Sequence, residues 1–490
     1  MNPRFGCADY RPFPIHWLVA VPVALFQLAL AVPRQWRMET TGFDLGIFEQ
    51  GVRGYAGLRP PTATLKGTGF DLLGDHFSPL LAVLAPVYRL WPSAVTLLVA
   101  QALLLALSTV PISALAAELL GRRRGVAIGL AYGFSWGLWR ADAFDVHEVA
   151  LAVPLAAWSV VALARGRWWA AVCWGLPLLL VKEDQGLLLA GIGGYVWLAG
   201  RRRALGLAAV LVAVLGTVLA VLLIVPAVNP GGHYTYGAGA AWHGGDPVAR
   251  LVRPVVKWRT VAALLAPTLL LALRSPIALL LVLPLAARFW SLDPAYWTTG
   301  QHYNAVLMPV LFTALLDGLR RIRRRAVRPV VLAAAPPREP AGAGGLRLEV
   351  RRSAVARATE PRLLRWIPGA VLVVALSAAP VPDLSGPSAQ VVAARRVLAV
   401  IPDGARVAAA NALAPQLTGR CTVSLFPYLT HPGQAGPRDR PVADWVAALD
   451  QPDDFPVPRS EQLAVEQGLA AAGYRPVAAG GGVTVWRWAA

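Results

Sequence analysis

The residues able to do chemistry fall in a few short stretches. Phe43-Asp44-Leu45-Gly46-Ile47-Phe48-Glu49-Gln50 sets two carboxylates, Asp44 and Glu49, five positions apart. Gly74-Asp75-His76-Phe77 follows. Then come Asp142, Asp145, His147 and Glu148, the run Lys182-Glu183-Asp184, a stretch from Asn229 to Lys257 with His233, Tyr234, Tyr236, His243 and Asp246, and finally Gln301-His302-Tyr303. A carboxylate partly withdrawn from water has its pKa raised toward neutrality and suits a general base. Asp44 is the candidate for that role, with Glu49 as the second catalytic candidate. Lys182 and His302 are cations or donors able to neutralise a phosphate. Asp75, His76, Asp145, His147, Glu183, Asp184 and Tyr303 complete the candidate substrate-binding set. Each residue alone has a bland explanation, because ionisable side chains avoid the bilayer core and collect in loops. The first 320 residues contain no Asp-Asp or Asp-x-Asp pair, so no metal is assigned and a divalent cation stays open.

What must position these groups is a membrane. The chain has 490 residues, is 56% hydrophobic and has a mean hydropathy of +0.52. Apolar runs long enough to span a bilayer recur along most of it. A net charge of +19 would suggest nucleic acid in a soluble protein. Here much of it lies in clusters between apolar runs: Arg122 to Arg124, Arg165 with Arg167, Arg201 to Arg203, Arg274, and Arg320 onward. That is the pattern of cytoplasmic loops, and nucleic acid is not an expected partner. Placing the clusters on one side gives a polytopic α-helical protein of about eleven spans: 13–33, 93–120, 125–140, 148–164, 168–181, 185–199, 204–228, 259–273, 276–290, 304–318 and 366–381. The N-terminus is then cytoplasmic, and every stretch named above lies on the outer side of the cytoplasmic membrane. The first run ends in Ala29-Leu30-Ala31, like a signal-peptidase site, but it is long enough to span and is read as retained. The first outer loop, 34–92, holds Arg34, Arg37, Arg53, Arg59 and Lys66 against the charge rule.

Two hairpins are short for the bilayer. Between Arg167 and Arg201 each leg has about 16 residues and reaches ~24 Å, against a hydrocarbon core of ~30 Å. The tip, Lys182 to Asp184, must lie below the outer lipid surface, and the same holds for Asp142 to Glu148. Charges at that depth need protein partners or a watered cavity. A recessed, charged vestibule follows. The segment 43–55 reads as an amphipathic interfacial helix with Phe43, Ile47 and Val52 toward lipid, and Phe77 to Trp91, interrupted by Pro79, Pro86 and Arg89, as an interfacial or re-entrant piece.

The membrane domain ends near residue 320. Residues 321–365 form a basic cytoplasmic linker rich in Pro, Ala and Gly, and one further span, 366–381, carries the chain outward. Residues 383–490 change character: helices at 388–401 and 461–473 alternate with strands at 406–410, 422–426 and 483–488, as in a small α/β domain. It has neither a phosphate loop nor a nucleophile elbow. The three cysteines, Cys7, Cys173 and Cys421, have no metal or disulfide spacing.

The runs FDLGIFEQ, DHFSPLL, FDVHEVALAVP, LLLVKEDQGL and QHYNAVLMP, taken in that order, resemble a bacterial family of predicted multi-pass membrane proteins built on a domain of unknown function. The likeness covers about residues 40–320. That family is in turn similar to the C-type (GT-C) membrane glycosyltransferases. The resemblance implies a GT-C-like fold with an extracytoplasmic C-terminal domain, a polyprenyl-phosphate-linked sugar as donor, an envelope glycan, lipid or protein as acceptor on the outer face, and Asp44 as the base. A multi-pass transporter or lipid flippase, and a non-enzymatic envelope-assembly protein, are the alternatives.

Overall fold

The computed structural model describes residues 15–241, 244–326, 362–429 and 442–489. Helix α1 (Ile15–Trp36) leads into the long first loop. There a π-helical turn, Gly42–Gly46, runs into α2 (Ile47–Ala56), and a 3-10 turn, Pro79–Leu84, runs into α3 (Ala85–Leu90). The membrane-type helices follow: α4 (Ala94–Leu107), α5 (Thr109–Leu120), α6 (Arg122–Gly133), α7 (Trp136–Phe144), α8 (Val149–Ala164), α9 (Trp168–Gly175), α10 (Gly186–Leu198) and α11 (Arg203–Leu219). The short α12 (Val225–Val228) completes the stretch begun by α11, and two further short helices, α13 (Gly237–Ala240) and α14 (Pro247–Val252), follow. Then come α15 (Val256–Leu265), α16 (Val282–Trp290), α17 (Met308–Ala326) and α18 (Ile367–Ala378).

Among the described residues, three helical stretches are long and apolar enough to cross a membrane: His16–Trp36, Ala94–Leu120 and Arg203–Val228. Five shorter apolar ones join them: Pro79–Leu90, Val149–Ala164, Trp168–Leu180, Pro276–Trp290 and Ile367–Ala378. The expected span at 93–120 is two helices meeting at Ser108, and that at 125–140 is α6 and α7, broken at Phe134 and Ser135. Helix α11 turns Leu207, Leu211, Leu215, Leu222 and Leu223 of its extended stretch outward, as a lipid-facing helix must. Helix α8 is the opposite case. Val153, Ala156, Ala157 and Val160 are fully buried, so it forms the axis of the bundle. Small residues let α10 and α11 close on each other: a Cβ on Gly206 would lie 2.5 Å from the Trp197 nitrogen.

The basic residues of the long first loop have local employment. Arg34 pairs with Asp145 at 2.9 Å, Arg37 with Glu39 at 2.7 Å and Lys66 with Asp75 at 2.5 Å. Arg53 donates to the Thr418 and Cys421 carbonyls at 2.8 and 2.7 Å. They are anchors of a folded loop.

The C-terminal domain is a five-stranded mixed sheet of order β2-β1-β3-β5-β4. Its strands are β1 (Arg406–Ala409), β2 (Thr422–Leu425), β3 (Trp445–Leu449), β4 (Tyr474–Gly480) and β5 (Val483–Trp488), with helices α19 (Ala389–Leu398) and α20 (Arg459–Gly468). β1 pairs in parallel with β2 and β3, whereas β5 is antiparallel to β3 and β4. Strands β3 and β4 go beyond the sequence reading. Period two sorts the sheet's side chains into two cores. Ala408, Val446 and Ala448 face one, with Leu469 and Tyr474. Val407, Ala409 and Ala447 face the other, which also contains Ile47, Ala63, Leu65 and Leu72 of the long first loop. The C-terminal domain and the loop therefore share a hydrophobic core.

This corrects the reading of 43–55. Ile47 and Val52 do not face lipid: they are 4% and 0% exposed. Ile47 packs into the core shared with the C-terminal domain and Val52 into that of the helical bundle. Periodicity identifies an apolar face but cannot say whether lipid or protein covers it.

Candidate active site

Three of the helices that bring candidate residues carry arginine at or just beyond the far end. Helix α8 runs from Glu148 to Arg165, α10 from the Lys182 loop toward Arg201, and α17 from the His302 loop to Arg320. The candidate groups therefore meet at one end of the bundle, opposite the basic clusters.

They surround two adjoining cavities. The polar one, of about 570 Å³, is lined by Asp44, Lys66, Asp75, His147 and Glu148, with Phe43, Phe48, Phe144 and Phe455 as its aromatic wall. The second, of about 310 Å³, has an apolar flank of Val149, Leu187, Leu188, Pro284, Val306 and Leu307, and polar walls that include Glu183, Asp184 and Arg288. His76, Lys182, Tyr236, Tyr296, His302 and Tyr303 line both.

Asp44 sits on the Gly42–Gly46 turn and its Oδ2 is 2.9 Å from His147 Nε2. The expectation of a raised Asp44 pKa is overturned. Burial works in that direction, but the His147 imidazole, and beyond it Lys182 and Lys66, hold the carboxyl below its ordinary value. His147 responds in kind: burial disfavours its charged form, but the Asp44 carboxylate raises its pKa above the usual imidazole value. The His302 ring stacks on His147 with centroids 3.6 Å apart. His302 is 5% exposed, and among the described residues neither of its ring nitrogens has a hydrogen-bond partner.

Several of the recessed charges have protein partners. Lys182 Nζ lies 2.8 Å from Glu148 Oε1, with both side chains buried. Glu183 accepts from the Phe77 amide at 3.0 Å and the Tyr234 hydroxyl at 2.8 Å, and its Oε1 is 2.7 Å from His76 Nδ1. Burial opposes that carboxylate, but His76 and Lys182 bring its pKa down to about 2. Asp75 accepts from Tyr236 at 3.1 Å, and Tyr236 stacks on His76 at 4.5 Å. Asp184 accepts from the Gln185 amide at 2.9 Å.

Two candidates, Glu49 and Asp145, line neither cavity. Glu49 is fully buried on α2, accepting from Tyr88 Oη at 2.9 Å and from the Thr418 hydroxyl of the C-terminal domain. Its grouping with Asp44 as a catalytic pair is therefore corrected to a bracing position. The two carboxylates lie on separate local elements, and the C-terminal domain covers the Glu49 face. Asp145 lines neither cavity and works one step behind Asp44, accepting from the Thr41 amide at 3.0 Å and hydroxyl at 2.9 Å and pairing with Arg34. His233 bonds the Gly231 carbonyl at 2.8 Å in an exposed turn, and His243 lies outside the described residues.

Arg288 and Tyr296 are wall residues that the sequence reading passed over. The Arg288 guanidinium is fixed by the Tyr296 and Tyr303 carbonyls and by Asn304 Oδ1, at 2.8 to 3.1 Å. The available signal was a lone arginine inside the apolar run 276–290. Phe455 had no signal, since it lies in the C-terminal domain, where no phosphate loop or nucleophile elbow pointed to a site. Among the described residues no group of three His, Cys, Asp or Glu side chains is arranged to hold a metal ion.

None of the curated proteins matches this sequence. Among solved structures it is similar to ArnT from Cupriavidus metallidurans, determined bound to undecaprenyl phosphate, with 18% identity and a TM-score of 0.42. The likeness covers 64% of this chain and 61% of ArnT, so the chain spans about three fifths of that protein's length. Residues 34–336, which run from the Arg34 anchor past the basic end of α17, match a family model, and the chain belongs to the DUF2079 family of predicted membrane proteins.

Proposed function

We propose that the protein is a membrane glycosyltransferase that takes a sugar from a polyprenyl phosphate and gives it to a hydroxyl of an envelope acceptor on the outer face. The observation that carries this reading is Lys182: a buried cation on the wall common to an apolar cavity and a polar one, with the Asp44 carboxylate in the polar cavity. The apolar flank suits the first isoprene units of a lipid, and the polar cavity suits sugar and acceptor.

In this reading the acceptor oxygen approaches the anomeric carbon from the face opposite the lipid phosphate. Its proton passes to Asp44, which His147 keeps ionised, as the new C–O bond forms. The bond from the anomeric carbon to the phosphate oxygen breaks, and its electron pair leaves with the lipid phosphate. Lys182 Nζ is close enough to both cavities to meet that charge with the hydrogens its Glu148 contact leaves over. The transition state has oxocarbenium character, and a water-poor, charged enclosure stabilises it. His302, with two uncommitted ring nitrogens at the junction, supplies a hydrogen bond to the sugar or phosphate.

The test is sugar transfer from a radiolabelled polyprenyl-phosphate donor in proteoliposomes. Asp44→Asn is expected to lower turnover by roughly 10²–10⁴-fold with donor binding intact. Lys182→Ala is expected to weaken donor binding. Full activity in Asp44→Asn removes the base assignment. Solute uptake without sugar transfer supports a carrier instead.

A further inference from the structure

The turn that carries Asp44 is held from two sides. On the membrane side Asp145 accepts from the Thr41 amide and hydroxyl. On the other side a single residue of the C-terminal domain bonds the next two amides. The Gly42 N–H donates to the Asn411 carbonyl at 2.8 Å, and the Phe43 N–H donates to Asn411 Oδ1 at 2.9 Å. The fit is close. A Cβ on Gly42 would lie 2.9 Å from Ala414 Cβ and 3.1 Å from Asn411 Oδ1. Asn411 uses its remaining polar group as well: Nδ2 donates to the Phe455 carbonyl at 3.2 Å. The Phe455 ring meets Phe43 edge to face with centroids 6.1 Å apart, and it lines the polar cavity opposite the membrane helices.

We propose that the C-terminal domain is a working part of the site, with Asn411 positioning Asp44 and Phe455 forming the acceptor-side wall of the polar cavity. This rests on the glycosyl-transfer reading for its catalytic meaning. The geometric claim, that Asn411 sets the Asp44–His147 contact, stands apart from it. Domain docking has other supports. Gln50 donates to the Val423 carbonyl at 2.7 Å, Arg395 to the Trp36 carbonyl at 2.6 Å and Arg53 to two further carbonyls. Asn411 is at the cavity end of that interface and contacts the turn itself, so its loss disturbs the turn while the domain stays docked.

The experiment uses the full chain in detergent and in proteoliposomes, with Asn411→Leu, Asn411→Asp and Phe455→Ala. Leucine keeps the branched outline of asparagine, with bulkier ends, but accepts nothing from the Phe43 amide. Aspartate retains the acceptor oxygen. The first readout needs no substrate: the titration of the His147 imidazole by NMR on histidine-labelled protein, its signal assigned by loss in His147→Gln. In the intact protein Asp44 raises the His147 midpoint. In Asn411→Leu that midpoint is expected to fall by one pH unit or so, as the carboxylate leaves the ring. In Asn411→Asp it is expected to keep most of its elevation. An unchanged midpoint in Asn411→Leu, with the variant folded by its melting curve, overturns the positioning claim. Should Asn411→Leu fail to fold, Asn411→Ala gives the same comparison, with no side-chain acceptor for the Phe43 amide. The second readout is transfer kinetics. Asn411→Leu is expected to cut kcat about ten-fold or more at unchanged KM for the lipid donor, whereas Phe455→Ala is expected to raise KM for the acceptor several-fold. A fall in the His147 midpoint without any transfer activity in the unmodified protein retains the positioning of Asp44 and overturns the glycosyltransferase reading. Unaltered acceptor KM in Phe455→Ala overturns the wall assignment.

Discussion

Replacing Glu49 by glutamine is expected to stabilise the protein at alkaline pH and to change it little in acid. Glu49 is fully buried between α2, Tyr88 and Thr418. Burial lifts its carboxyl pKa from 4.5 to about 7, with the Thr418, Tyr88 and Arg53 contacts only partly offsetting the shift. The folded chain therefore keeps a proton on Glu49 to about pH 7, whereas the unfolded chain loses it near 4.5. Between those values the folded state binds more protons, and stability falls as pH rises. At ~1.4 kcal/mol per pH unit, the accumulated cost is ~1 kcal/mol at about pH 5 and ~3 kcal/mol above neutrality. Glutamine retains the geometry of the protonated acid. Its oxygen accepts from Tyr88 and its amide donates to Thr418, and it never ionises. Thermal unfolding in detergent at about pH 5 and about pH 8.5 reads the difference. The gain in melting temperature of Glu49→Gln is expected to be larger at the higher pH by a few degrees, consistent with ~2 kcal/mol in a large protein. The same gain at both pH values, or a loss confined to alkaline pH, refutes the argument. The second outcome would mean that Glu49 is ionised in place and that Tyr88, Thr418 and Arg53 stabilise the anion.

The remaining predictions concern the polar cavity and its supports. Because His147 leads the interactions that hold Asp44 below its ordinary pKa, transfer by the unmodified protein is expected to lack an Asp44-dependent acid limb in kcat/KM between about pH 5 and 7; His147→Gln is expected to move such a limb up into that range. Arg34→Met leaves the nearly inaccessible Asp145 carboxylate without its ion-pair partner and is expected to cost about 3 kcal/mol. The double variant Arg34→Met/Asp145→Asn is expected to recover much of that loss, as a double-mutant cycle on melting temperature would measure.

How much of this was legible in the sequence depended on which physical signal each feature leaves. The membrane character and the apolar helices follow from apolar length alone, and the arginine clusters mark one end of each hairpin. The recessed charges at Lys182 to Asp184 and at Asp142 to Glu148 follow from legs too short for the bilayer, and in the structure Lys182, Glu183, Asp142, Asp145 and Glu148 are buried in protein, whereas Asp184 is exposed. What could not be read was pairing. Nothing in the spacing says that Lys182 takes Glu148, that Glu183 takes His76, or that Arg34 takes Asp145, because these partners are 34, 107 and 111 positions apart. The Asp44 pKa was misjudged for the same reason. Desolvation can be inferred from depth, but the cations that outweigh it come from distant loops. In the C-terminal domain Trp445–Leu449 was missed as a strand, and it is the central one, flanked by β1 and β5. A short central strand is buried on both faces and lacks the alternation that marks a half-exposed one.

Helix α2 shows why Asp44 and Glu49, so close in sequence, have different roles. Phe48 and Val52 join the bundle core, where Tyr88 also packs, while Ile47 joins the core of the C-terminal domain. Gln50 and Arg53 bond that domain's backbone. The helix thus has protein on two sides, and its one carboxylate is enclosed between them, next to Tyr88 and Thr418. Asp44 precedes the helix on a turn, and the turn is what the cavity reaches. Moving that turn requires either Asp145 or Asn411 to let go of it, and both are themselves tied: Asp145 by Arg34, Asn411 by its place in the shared core's rim and by the Phe455 carbonyl. A carboxylate that must meet a substrate hydroxyl within hydrogen-bond distance needs that degree of fixation. The bundle alone supplies half of it. The other half comes from a domain more than 360 residues further along the chain, and the two halves meet only when the chain is folded.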